Sequence, residues 1–114
     1  DNDLLPSQSG TTFLLPVGGI TASLPAVATS AGCSYRFIAS VDTPGANNIV
    51  DAPAGTIDGY LIGNATRVAC NGQSAVNFVT ANVLIGDSLE CFCTGAVWAV
   101  KGFSQTAGAF TTTA

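Results

Sequence analysis

The stretch Cys33-Ser34-Tyr35-Arg36-Phe37-Ile38-Ala39-Ser40-Val41 decides the fold class. Side chains of an extended chain point alternately to opposite faces, so Cys33, Tyr35, Phe37 and Ala39 share one side while Ser34, Arg36 and Ile38 take the other. This is the pattern of a strand with one buried face. Comparable short runs lie on both sides of it, each bounded by Gly, Pro, Asn or Asp: Thr12 to Val17, Ile20 to Pro25, Ile49-Val50, Ile57 to Ile62 broken by Gly59, Ala75 to Thr80, Ser88 to Thr94, and Val97 to Phe103. The junctions Gly18-Gly19 and Gly95-Ala96 read as hairpin turns, because glycine supplies the positive φ such turns require. No segment sustains the i, i+3, i+4 apolar spacing of a helix. The spacing predicts an all-β sandwich or barrel of about eight to ten short antiparallel strands with little or no helix.

At 114 residues the chain is the size of one domain. Residues 1–10 are polar apart from Leu4-Leu5-Pro6 and predict an N-terminal arm. Residues 11–104 form the β domain, and residues 105–114 a last strand or second arm. The start at Asp1-Asn2-Asp3, without Met, is expected to be a processed one.

Composition narrows the function. The chain has no His, only 3 Lys+Arg and 7 Asp+Glu, and 47% hydrophobic residues, so it is poor in the groups that carry acid/base, nucleophilic or metal-ligand chemistry. Its serines have no neighbouring base, its glycines form no phosphate cradle, and Asp42, Asp51, Asp58, Asp87 and Glu90 stand singly at turns rather than as a calcium cage or glycosidase pair. The expectation is a protein without enzymatic activity, cofactor, metal or small-molecule substrate. A mean hydropathy of +0.45 is high for a small body, which predicts apolar surface turned toward a partner. No apolar run approaches the roughly 18 residues of a membrane span. A net charge of -4, with Arg36, Arg67 and Lys101 isolated in sequence, argues against direct binding of nucleic acid.

Cys33, Cys70, Cys91 and Cys93 are the notable reactive set. Cys91-x-Cys93 sits inside a strand rather than on a zinc-binding turn, so disulfides or buried thiols are favoured over metal. Cys91 and Cys93 share a face too far apart to bridge one another, which leaves frameworks joining Cys33 and Cys70 to Cys91 and Cys93 in either of two ways. The lone Trp98 has its usual place between sheets, and in an alternative reading joins Tyr60 in a sugar-stacking platform. Asn64-Ala65-Thr66 matches a glycosylation sequon of a kind common by chance.

The ordered set Phe13-Leu14-Leu15 to Gly18-Gly19-Ile20-Thr21-Ala22-Ser23-Leu24-Pro25, Ala31 to Ile38, Val76-Asn77-Phe78-Val79, Ile85 to Glu90 and Gly95-Ala96-Val97-Trp98-Ala99-Val100 resembles the small all-β virion proteins of tailed bacteriophages, most closely capsid decoration (cement) proteins. The resemblance covers residues 10–104. It implies a jelly-roll-like domain on the outer surface of the capsid, commonly a homotrimer, that stabilises contacts between major capsid protein subunits and has no catalytic residues. Leu4, Leu5, Pro6 and Phe110 are the candidate oligomer or capsid contacts. Alternatives are a receptor- or carbohydrate-binding domain of a tail fibre or spike, and a secreted disulfide-stabilised adhesion or lectin-like module.

Overall fold

The computed structural model describes residues 2–114. Two sheets face each other as a sandwich. The five-stranded sheet has the order β1 (Asn2–Asp3), β3 (Thr21–Ser23), β5 (Asn48–Asp51), β8 (Ala75–Phe78), β11 (Phe110–Thr113). The six-stranded sheet has the order β2 (Thr11–Leu15), β4 (Ser34–Ala39), β9 (Ser88–Cys93), β10 (Trp98–Ser104), β6 (Ile57–Gly63), β7 (Thr66–Gln73). Among the described residues, helical structure is confined to the single 3-10 turns Pro6–Gln8 and Val27–Thr29.

The all-β prediction stands, but the sheets are mixed rather than antiparallel. Four pairs run parallel: β1/β3, β3/β5, β2/β4 and β6/β10. The cause lies in how the chain travels. Through the first half it passes from one sheet to the other at every connection, and each strand reverses the direction of the one before. Strands an even number of steps apart therefore run the same way, and those an odd number apart run opposite ways. Gly18-Gly19 is accordingly no hairpin, because β2 and β3 lie in different sheets. Direct hairpins occur at β6/β7 and β9/β10, the second at the predicted Gly95-Ala96 turn.

Alternation along β4 and β9 places Tyr35, Phe37, Ala39, Leu89, Cys91 and Cys93 between the sheets, where they are buried. Phe37 stacks on Phe13 with centroids 5.5 Å apart, and Phe78 meets Phe110 edge-on at 5.2 Å. Trp98 is fully buried against Tyr35 at 5.7 Å. Its indole N–H donates to the Pro25 carbonyl at 3.0 Å, which removes the penalty of burying that donor. Gly102 of β10 and Gly59 of β6, on neighbouring strands of one sheet, sit where a side chain would collide. A Cβ on Gly102 would lie 2.6 Å from Leu61 and 3.3 Å from the Phe110 ring, and one on Gly59, at φ +131°, would lie 2.1 Å from the Val100 carbonyl oxygen.

Of the predicted arm, residue 1 lies outside the described residues, and residues 2–10 do not form a free arm. Leu4 is buried in the core, its N–H donates to the Ser23 carbonyl, and the Tyr35 hydroxyl donates to the Leu5 carbonyl at 2.6 Å. The C-terminal segment is likewise docked, since β11 pairs with β8 and carries the buried Phe110. Buried apolar side chains and backbone hydrogen bonds together fasten each segment. Leu4→Ala is expected to lower unfolding free energy by about 2–3 kcal/mol in urea titrations; a detached arm would leave the midpoint unmoved.

Candidate functional site

Two surface features stand out. The first is the outward face of the six-stranded sheet. Pairing registers align Thr12, Arg36, Glu90, Lys101 and Tyr60 in one row across β2, β4, β9, β10 and β6. The adjacent row carries Ser34, Phe92 and Ala99. Together they line a groove of about 650 Å³. Such a volume is typical of sites for small ligands. The Arg36 guanidinium donates to the Glu90 carboxylate at 3.1 Å, and both side chains are about half exposed (51% and 45%), so the pair adds little stability. Lys101 is exposed and, among the described residues, has no carboxylate partner. Phe92 is 50% exposed, and Tyr60 is half-buried with its ring edge-on to Phe103.

The second feature is the β2 edge of the same sheet. β2 is five uncharged residues, and its Leu14 is 61% exposed. Beside it a cleft of about 500 Å³ opens between the sheets, with Leu4, Phe13, Leu15 and Ile20 among its walls. The opposite edge, β7, is interrupted by Arg67 and Gly72. An uncharged edge strand with open backbone groups is a template for another strand.

The sequence-derived candidates separate. Leu5 and Pro6 are exposed, whereas Leu4 and Phe110 belong to the core and offer no surface in the single chain. Trp98 is buried and cannot stack on a sugar; Tyr60 remains on the groove, and Phe92 is the other aromatic that lines it. Asp87, buried, accepts from the Leu84 N–H at 2.9 Å and the Ser104 hydroxyl at 2.7 Å, Asp42 accepts from the Ile85 N–H, and Asp58 from the Gly72 N–H. Asp87 fixes a turn and Asp42 joins two loops, whereas Asp51, Asp58 and Glu90 lie within strands rather than at the expected turns. Among the described residues no group of three His, Cys, Asp or Glu is placed to hold a metal ion.

All four cysteines are free thiols. Cys70 and Cys91 lie in one cross-sheet row but are separated by Val100 and Gly59, a span of about 14 Å at the usual strand spacing, and this rules out a bridge between them. Cys33 and Cys93 are neighbours just past the end of the β4/β9 ladder, where the Cys93 N–H donates to the Cys33 carbonyl at 2.9 Å and the Gly32 N–H to the Cys93 carbonyl at 2.8 Å. Cross-strand neighbours sit about 5.5 Å apart at Cα, inside the disulfide range. Neither two-bridge framework fits the sheet; one bridge does. Burial raises the Cys91 thiol strongly, with Glu90 adding to it, and burial and then Asp58 raise Cys70. Burial, followed by the neighbouring Cys33 and Cys93, raises Tyr35.

No protein-family model matches the chain, and neither a curated protein nor a solved structure does.

Exposure to glutathione disulfide, which takes up the two electrons, is expected to oxidise Cys33 and Cys93 to one bridge; alkylation after unfolding should then label Cys70 and Cys91 alone. Alkaline stability carries a second prediction. Cys70 and Cys91 have folded values above the ordinary 9.0, so the native state holds those protons while the unfolded chain releases them. Stability is therefore full below about pH 9 and declines above it, and Cys91→Ala should flatten that decline in thermal melts across pH 8 to 11.

Proposed function

We propose that the chain is a structural virion protein that decorates and cements the outer surface of a phage capsid. The observation that carries this reading is the β2 edge. Its length, lack of charge and outward Leu14 suit strand addition or lateral packing against another protein chain. Val17 at 58% and Leu5 at 56% exposure, both in segments flanking β2, extend the apolar surface expected from composition. A β-sandwich whose termini are both stapled into the core suits a protein whose task is to endure rather than to move.

On this reading the protein is a homotrimer bound across neighbouring major capsid subunits. Binding only to the assembled shell shifts assembly and disassembly equilibria toward the shell, and several modest contacts per trimer add through avidity. The jelly-roll relationship belongs to the same proposal. The repeated passage between facing sheets supports it, and the parallel pairs depart from an all-antiparallel wrap.

Electron microscopy of the particle that carries this protein tests the reading, with density expected at capsid three-fold or quasi-three-fold positions. Density confined to the tail would overturn it. Leu14→Lys is expected to weaken trimer formation and shell binding about tenfold or more, in sizing chromatography and co-sedimentation with shells, while leaving the circular dichroism spectrum unchanged because Leu14 packs little in the single chain.

A further inference from the structure

We propose that the groove on the outward face of the six-stranded sheet is a binding site for an acidic oligosaccharide, a sugar chain bearing carboxylate or sulfate groups. The site is independent of any capsid role and does not use the β2 edge cleft.

Charge placement is the first argument. The chain has only three basic residues and a net charge of -4, yet Arg36, Lys101 and Arg67 all stand on this one face. Within the groove Arg36 and Lys101 flank the single carboxylate of Glu90, leaving one positive charge in excess. Asp58, on the same face, is turned to the Gly72 N–H at 2.7 Å and does not line the groove. Lys101, exposed and without an ion-pair partner among the described residues, is the group free to receive an anion.

The remaining lining explains why the ligand is a sugar. Tyr60 adjoins Lys101 in the same row and Phe92 follows Glu90 in the adjacent row, so both present aromatic surface suited to the apolar face of a pyranose ring. Thr12 and Ser34 hydroxyls, the Glu90 acceptor and the Arg36 donors alternate along the rows, matching hydroxyls that both donate and accept. A peptide is a poorer occupant. The groove floor is sheet interior whose backbone groups are used in the β4/β9/β10 ladders, so a peptide lying there would have its own N–H and C=O groups covered without partners.

The test titrates the full protein with hexagalacturonate, a heparin-derived hexasaccharide, neutral maltohexaose and a short Asp- and Glu-rich peptide, followed by two-dimensional NMR and calorimetry. At least one acidic saccharide should bind, perturb Tyr60, Phe92, Ala99 and Lys101, and weaken as salt rises. Lys101→Ala and Tyr60→Ala should each weaken it about tenfold, at unchanged fold by circular dichroism. Glu90→Gln removes the one carboxylate that lines the groove among the described residues and should tighten the acidic saccharide. Absence of saccharide binding, neutral maltohexaose binding as well as the acidic chains, equal or tighter binding of the peptide at the same residues, or perturbations mapping elsewhere would each overturn the proposal.

Discussion

The sandwich is organised by the contact of Trp98 with Tyr35. Both rings belong to the six-stranded sheet, and their polar tips reach carbonyls of segments that leave the opposite sheet, Pro25 beyond β3 and Leu5 beyond β1. Their apolar bodies fill the space between the layers, while their two hydrogen bonds tie down chain that would otherwise pass over the open end. A buried donor left unpaired costs about 1–3 kcal/mol, so these tips also oppose any shift of those segments. The docking of residues 2–10 follows from this arrangement more than from the two-residue strand β1.

A second constraint is spacing. Leu61 and Phe110 occupy the volume that a side chain at position 102 would need, and β6 approaches β10 at Gly59 so closely that only a residue without Cβ fits. That approach completes the row on which Tyr60 and Lys101 are neighbours. The outward groove thus depends on Gly59, exposed in its own lining, and on Gly102, buried beneath it. The same rows keep Arg36, Glu90 and Lys101 side by side although they are far apart in the chain.

Much of the strand content was legible. The alternation in Cys33 to Ala39 and the run through the Gly95-Ala96 turn are strong because one face is apolar and the turn chemistry is specific. The strand β7 was not legible, because Thr66 to Gln73 is an edge strand of mostly exposed residues with no clean period. Parallel pairing was also hidden, since whether a connection bends back within a sheet or crosses to the other depends on packing between distant segments. Gly18-Gly19 satisfies either course. The N-terminal segment misled for a related reason: in Leu4-Leu5-Pro6 a single leucine enters the core, a signal too small to separate from a polar tail. The groove had no local signature, because register alone assembles it.

The crossing of the chain between layers bears on how this protein reaches its native state. Outside the β6/β7 and β9/β10 hairpins, each strand must find a neighbour brought from far along the chain, and loop closure is opposed by entropy until that meeting occurs. Folding is therefore slow for the protein's size. Once closed, the terminal strands β1, β2 and β11 all lie at sheet edges, so unravelling has a way in from either end, and the buried Leu4 and Phe110 are what hold those ends shut.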